Sequence, residues 1–242
     1  MEPMQAAGFS HFLAETDWIG RSLLIVLLGM SVVSWYFILT KALASLLERR
    51  RSARFLDAFW NAASIAAVHE RLEEQHPDEP FSHLAWHAII ASRHHRQQGA
   101  KNLHASGSEA EFLTRAMRRV IDEDTARLES GLTMLASVGS TAPFVGLFGT
   151  VWGVYHALVA IGLSGQGTLD KVAAPVGEAL IMTALGLAVA IPAVLAYNAF
   201  VRSNRVVLAR LDAFAHDVYA VITTGAHVGD TAAVVALKPA RG

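Results

Sequence analysis

The sequence has no cysteine in its 242 residues, which excludes a disulfide framework and thiolate metal sites. Its formal net charge is −1, so there is no general basic field of the kind that binds nucleic acid. Glycine-rich phosphate loops and the HExxH helix of zinc proteases are also missing. We therefore expect no cofactor, no metal and no nucleic-acid partner.

Charge itself is missing over long stretches, although hydrophobic residues make up 53% of the chain. Residues 22–40 and 132–169 carry no charged side chain, and 172–201 carries one, Glu178. About 20 apolar residues suffice for a helix to cross a bilayer. The pattern predicts an all-α integral membrane protein with three transmembrane helices and long cytoplasmic helical extensions.

This pattern divides the chain into seven parts. In chain order we expect a periplasmic N-terminal segment (1–20), transmembrane helix 1 (21–41), a cytoplasmic helical domain (42–131), transmembrane helix 2 (132–163), a periplasmic hairpin loop (164–171), transmembrane helix 3 (172–201), and a cytoplasmic C-terminal helix and tail (202–242). The orientation follows from the positive-inside rule, because 41–131 and 202–242 contain 18 of the 20 Lys and Arg residues.

The cytoplasmic domain shows helical patterns separated by turn signals. One helix is expected from 41 to about 74, continuous with the first span, and a second over 81–98. A third helix begins near residue 108. Because no residue is expected to break it, it continues as one rod into the second span. An amphipathic helix is expected over 202–223.

Glu178 is the first candidate functional residue, because a carboxylate inside a span costs roughly 2.5–3.5 kcal/mol on insertion scales. It indicates a proton or ion site, and the alternative is a structural carboxylate that pairs with a neighbouring helix or reaches an interface. With Gln166 at the hairpin tip, Thr150 and Thr183 fall at similar depth on antiparallel helices. Glu178 and Thr183 lie about 140° apart around their helix, so one pathway includes both only if it runs between packed helices. For each Thr alone, a hydrogen bond to its own helix is the alternative.

Small residues form a stripe on the second span at steps of 4, 3, 4 and 3: Gly139, Pro143, Gly146, Thr150 and Gly153. Small side chains let helix backbones approach closely in a membrane, so the stripe predicts a helix–helix contact, with a narrow pore wall as the alternative. One chain is expected to cover this face poorly. The sequence therefore predicts a homo-oligomer with a central opening.

Two segments carry a specific resemblance: TAPFVGLFGTVWGV (141–154) and APVGEALIMTALGLAVAIPAVLAYN (174–198). They resemble the signatures of the ExbB/TolQ/MotA proton-channel family of the bacterial inner membrane, the ExbB branch most and the TolQ branch next. The resemblance implies a pentamer around two copies of ExbD, whose proton flow energises TonB for uptake of iron complexes and vitamin B12.

The family's residues transfer to positions of this sequence by motif. Its intramembrane glutamate falls on Glu178 and its polar threonines on Thr150 and Thr183. Its prolines, expected to serve helix packing together with the glycines of the stripe, fall on Pro143, Pro175 and Pro192.

Three further features have two interpretations each. His83 and His87 lie four apart on a predicted helix, with His94 and His95 beyond, a spacing that suits a metal or an exposed helix face. His156 suits a proton relay or an interfacial position beside Trp152 and Tyr155. The basic run 48–54 predicts contact with anionic membrane lipids, or else regulatory binding.

Three function classes follow from these residues. The first is a proton-conducting stator subunit without covalent chemistry, either ExbB-like or TolQ-like. The second is a structural membrane scaffold in which Glu178 holds an oligomer together. An intramembrane enzyme is disfavoured because the spans offer no evident nucleophile–base pair.

Overall fold

The computed structural model describes residues 17–99, 109–164 and 169–224. The described residues contain helices and no strand, as an all-α fold requires. The helices are α1 (Trp18–Trp60), α2 (Ile65–Glu74), α3 (Pro80–Gly99), α4 (Glu109–Glu129), α5 (Leu132–Ser164) and α6 (Leu169–Thr224). The described part includes three helical stretches long and apolar enough to cross a membrane, within α1, α5 and α6.

Two compact units divide the chain: residues 1–43 with 130–202, here called the membrane unit, and 44–129 with 203–242, the helical unit. In the membrane unit many small residues are buried and many large apolar ones are exposed, although Leu27, Leu135 and Met182 also lie inside. Ala142 and Ala193 are fully buried, whereas Phe144 and Leu195 are each more than 60% exposed. This distribution suits a bilayer, because lipid tails are as apolar as leucine and tight packing holds the helices together instead.

The helical unit has an ordinary apolar core. The largest fully buried side chains of this core come from three helices: Leu84, Leu113, Leu211 and Val218. The rings of Phe59 and Phe214 meet edge-on at 5.0 Å within the same core. The α6 residues of this core lie beyond 201, so the amphipathic segment expected at 202–223 is the continuation of the span in a single helix.

The helix expected from 41 to about 74 is in fact two helices, so that prediction is wrong. α1 ends at Trp60, and the Asn61 side chain donates to the Asp57 carbonyl at 2.8 Å. Ser64 then adopts extended backbone and its Oγ accepts from the Ala67 amide, capping α2. Asn and Ser offer the backbone these alternatives to helix, and this local chemistry outweighs the apolar periodicity.

The uninterrupted rod into the second span is also contradicted. α4 ends at Glu129 and α5 begins at Leu132, with Gly131 between them at φ 75°. A left-handed glycine just past a helix end is a common stop. A Cβ at Gly131 would lie 2.7 Å from the Phe37 ring, so no other residue fits there without strain.

Candidate functional site

The candidate site lies where α5 and α6 cross in the membrane unit. A Cβ built on Gly146 would lie 2.6 Å from the Met182 carbonyl oxygen and 3.0 Å from the Gly186 Cα. Gly139 faces Val194 and Gly153 faces Ala179 at similarly short separations. The two backbones therefore touch along this side of α5.

The small-residue stripe accordingly packs within one chain. The expectation that one chain leaves this face poorly covered is wrong, because α6 covers it. Gly186 contributes from the opposite helix, since its own Cβ would lie 2.7 Å from the Ala142 carbonyl oxygen. The pairing of Gly146 with Gly186 was not predicted, although an ALGLA segment on the third span was a visible signal.

Thr150 and Thr183 face each other across this crossing. Their Oγ1 atoms are 2.5 Å apart. Thr150 Oγ1 also lies 3.0 Å from the Ala179 carbonyl oxygen on α6 and 3.2 Å from the Gly146 carbonyl oxygen on its own helix. The hydroxyls thus lie at the same depth, as expected from the hairpin count. Thr150 also has the bond to its own helix that was the alternative reading.

The hydrogen-bond inventory of this pair limits what it can do. Each hydroxyl has one proton to donate and can also accept. If Thr183 donates to Thr150, the Thr150 proton is free for the Ala179 or the Gly146 carbonyl. If the direction is reversed, Thr150 donates to Thr183. Both threonines are half-buried, so this pair is a polar connection between two apolar helices.

Glu178 belongs to α6 by its backbone and directly precedes Ala179, whose carbonyl oxygen lies against Thr150. Its side chain lies outside the part of the chain that the structure describes, and so does that of Pro175. Pro143 and Pro192 lie half-buried within α5 and α6. The part that each of these residues takes in proton movement stays a prediction.

A carboxylate that sequence reasoning missed, Asp17, lies at the start of α1 and contacts Trp152, two residues beyond Thr150 on α5. Asp17 Oδ1 accepts from the Gly20 amide at 2.9 Å and caps α1, while Oδ2 accepts from Trp152 Nε1 at 2.7 Å. Burial raises the pKa of Asp17, but these two bonds and nearby His156 outweigh burial, so the pKa lies below its ordinary value. An Asp directly before a helical pattern was a signal for this cap.

His156 lies in an aromatic cluster on α5. Its ring centroid is 4.4 Å from that of Trp152 and 5.3 Å from that of Tyr155, and the side chain is exposed. These contacts are the ones expected if His156 occupies an interfacial position beside Trp152 and Tyr155. Residues 1–16 of the N-terminal segment and 165–168 of the hairpin loop lie outside the described residues.

The histidines of the helical unit have an acidic partner that the sequence did not reveal. His83 Nδ1 lies 3.1 and 3.2 Å from the two carboxylate oxygens of Asp124, which is almost fully buried on α4. The His87 ring packs edge-on against His83 at 4.7 Å. Burial lowers the pKa of His87 below its ordinary value, and His83 adds to that shift.

These histidines do not form a metal centre in the described part of the chain. No group of three or more His, Cys, Asp or Glu side chains is arranged there to hold an ion. His95 packs against Phe112 at 5.7 Å, and His94 lies exposed on α3. His83 therefore joins α3 to α4 through Asp124.

Comparisons with known proteins bear on this geometry. The profile of the MotA/TolQ/ExbB proton channel family matches residues 87–213, which include Thr150, Glu178 and Thr183. The chain is 43% identical over 232 residues to biopolymer transport protein ExbB of Xanthomonas campestris pv. campestris, covering 91% of this chain and 90% of that protein.

Two further relatives extend this similarity. Identity to biopolymer transport protein ExbB of Neisseria meningitidis is 40% over 195 residues, covering 81% and 88% of the two chains. Identity to Tol-Pal system protein TolQ of Pseudomonas aeruginosa is 33% over 219 residues, covering 90% and 94%.

Proposed function

Since the chain belongs to the MotA/TolQ/ExbB proton channel family, we propose that it is the ExbB-like subunit that works with an ExbD-like single-span partner to energise TonB. Family membership and the three apolar spans make it a multi-pass protein of the inner membrane and a proton-channel subunit of an energising complex. Iron–siderophore and vitamin B12 uptake is the proposed output.

The Thr150–Thr183 hydroxyl pair is the observation that carries this proposal. It joins α5 to α6 at the level of the Ala179 carbonyl, next in the chain to Glu178. A carboxyl group beside hydroxyls that both donate and accept has the parts of a proton relay. A purely structural contact between α5 and α6 would not need a polar pair, because the glycines already bring the backbones together.

In the proposed mechanism, Glu178 takes a proton from one side of the membrane and releases it to the other. Each proton delivers about 2.3 kcal/mol for every 100 mV of membrane potential. A permanently paired carboxylate cannot transmit that energy, so Glu178 must change its exposure or its partner during the cycle. The partner subunit's intramembrane acid is the proposed second group in that exchange.

The proposed topology places the N-terminus in the periplasm and the C-terminus in the cytoplasm. The distribution of Lys and Arg residues supports it, because the sections assigned to the cytoplasm carry nearly all of them. Protons would then enter on the side of the membrane where Asp17 lies and leave towards residues 132–140 of α5. Topology is open to direct testing by labelling single cysteines, because the chain has none of its own.

The exposed apolar surfaces of α5 and α6 support a homo-oligomer, which we propose to be a pentamer. Large apolar side chains on both helices remain exposed on the faces turned away from their mutual contact: Phe144, Phe148, Val151, Ile191 and Leu195. Neighbouring copies and lipid are the surroundings that suit such faces in a membrane. Native mass spectrometry in mild detergent that finds only monomer would contradict the oligomer.

Two alternatives remain. A TolQ-like role in the Tol-Pal system is supported by the Pseudomonas aeruginosa relative, at lower identity than the ExbB relatives above. Loss of siderophore-dependent growth after deletion supports the ExbB-like role, whereas envelope leakage with normal iron uptake supports the TolQ-like one. In the scaffold alternative, Glu178 would only hold the assembly together.

Glu178→Gln separates the channel from the scaffold, because it keeps the shape and removes the titratable proton. We expect a variant that folds and assembles at wild-type levels but fails to support growth under iron limitation. Glu178→Asp, which withdraws the acid by one methylene, should retain partial function or none. Full iron uptake by Glu178→Gln at normal protein levels would remove Glu178 from the mechanism.

A further inference from the structure

The run 48–54 contains four arginines, and two of them are engaged within the chain. Arg51 donates from Nη1 to Oδ2 of Asp78 at 2.6 Å. Arg49 donates from Nη2 to Oγ of Ser203 at 2.8 Å. Both pairs lie within the helical unit, so these two arginines have their hydrogen bonds directed at the protein itself.

The other two, Arg50 and Arg54, are exposed and form no ion pair with any residue that the structure describes. They lie four apart on α1 and therefore on one face. Arg54 donates from Nε to the Arg50 carbonyl oxygen at 3.2 Å. That bond directs the guanidinium along the helix beside Arg50 and leaves its two terminal nitrogens without a described partner.

The same face of α1 carries exposed leucines directly before the arginines. Leu46 and Leu47 are 59% and 50% exposed. At about 100° per residue, Leu46, Leu47, Arg50 and Arg54 fall within an arc of roughly 100°. An apolar face that continues from a membrane-spanning stretch of the same helix suits lipid contact. Arg50 and Arg54 then follow Leu47 within one to two turns, so a lipid whose chains contact the leucines can present its phosphate to them.

We propose that Arg50 and Arg54 form a binding site for the phosphate of an anionic phospholipid headgroup, with Leu46 and Leu47 against its acyl region. Arginine presents planar, fork-shaped donors that suit phosphate oxygens. The leucines favour a lipid over a free phosphate ester, because a soluble phosphate has no apolar part to cover them. The site does not depend on proton conduction, so it stands or falls separately from the proposed function.

The test uses full-length protein reconstituted in vesicles of equal parts phosphatidylglycerol and phosphatidylcholine, then extracted in mild detergent. Native mass spectrometry gives the ratio of the two lipids retained per chain. Each arginine near an anionic surface is expected to contribute about fivefold, so Arg50→Gln with Arg54→Gln should lower the ratio by up to about 30-fold. Arg50→Lys with Arg54→Lys keeps the charge but not the planar fork of donors, and should retain only part of the preference.

The matched control is Arg49→Gln with Arg51→Gln, which removes the same charge from the same run. It should keep the lipid ratio within twofold of wild type and lower thermal stability instead. An equal loss of ratio in the control, or no preference in wild type, overturns the proposal. Displacement of the lipid by millimolar glycerol 1-phosphate would assign a soluble phosphate site instead. If the double variant does not fold, the single variant Arg50→Gln decides by the same ratio.

Discussion

Gly146→Ala tests whether the backbone contact between α5 and α6 holds the membrane unit together. The added methyl would lie 2.6 Å from the Met182 carbonyl oxygen, 3.0 Å from the Gly186 Cα and 3.2 Å from the Thr183 Cα. Ordinary contacts lie at about 3.5–4.0 Å between carbon atoms, so the helices must separate by roughly 0.5–1 Å. Because backbone lies on the far side of each contact, no side-chain rotation relieves the crowding.

Overpacking of this kind costs about 1–3 kcal/mol. Helix propensity acts in the opposite direction, since alanine is favoured over glycine by about 1 kcal/mol in a helix interior. Gly29→Ala is the matched control, because Gly29 lies within α1 and a Cβ there would meet nothing within 4 Å. From most to least stable, the expected order is Gly29→Ala, wild type and Gly146→Ala.

The assay is unfolding of the purified protein from mild detergent by added sodium dodecyl sulfate, followed by the loss of tertiary signal from tryptophan. The free energy of unfolding of Gly146→Ala should fall below that of the control by more than 1 kcal/mol. Gly146→Leu should yield little folded protein. Equal stability of Gly146→Ala and Gly29→Ala would refute the close contact and return the stripe to a pore or lipid face.

Three further predictions concern single groups. Thr150→Ala should slow proton flux into vesicles, more mildly than Glu178→Gln, and Thr150→Ser should restore the flux. Equal flux in the wild type, Thr150→Ala and Thr150→Ser would exclude the Thr150 hydroxyl from the proton pathway. Because the pKa of His87 is lower in the folded state, the unfolded chain binds more protons; stability should therefore rise with pH up to about 6.5, and His87→Gln should flatten that rise in thermal melts. Asp17→Asn removes an acceptor from Trp152 and should shift its fluorescence at pH 7. An unchanged emission spectrum in Asp17→Asn would contradict the contact between Asp17 and Trp152.

The membrane spans could be predicted because they depend on a regional property, the absence of charge over about 20 residues. The similar depth of Thr150 and Thr183 could also be predicted, because counting residues outward from a hairpin tip requires only that the two helices run antiparallel. Neither inference requires knowledge of which side chains meet.

The helix ends were harder, because they depend on single residues. Asn61 and Ser64 interrupt a pattern that continues on both sides of them, and Gly131 does the same before α5. A glycine or an asparagine is tolerated inside many helices, so its effect depends on competing tertiary contacts. Each of these residues was a weak signal for a helix end, and the apolar helical periodicity on both sides of it outweighed that signal in the prediction.

Partners distant in sequence were not predictable. Asp124 lies 41 residues from His83, and Trp152 lies 135 residues from Asp17. The same limit applies to Gly146, whose contact with α6 was attributed to another copy of the chain. Spacing within a segment indicates a face, but it does not say which helix covers that face.

The proposed relay through Thr150 and Thr183 has a consequence for the timing of proton transfer. A proton that crosses two hydroxyls in line leaves both O–H groups pointing the opposite way, because each accepts on one side and donates on the other. The pair then cannot pass a second proton in the same direction until both groups have rotated back. The carbonyl oxygens of Ala179 and Gly146 provide two resting acceptors for Thr150. In the proposed relay, a reorientation step therefore separates successive protons, and they cross the pair one at a time.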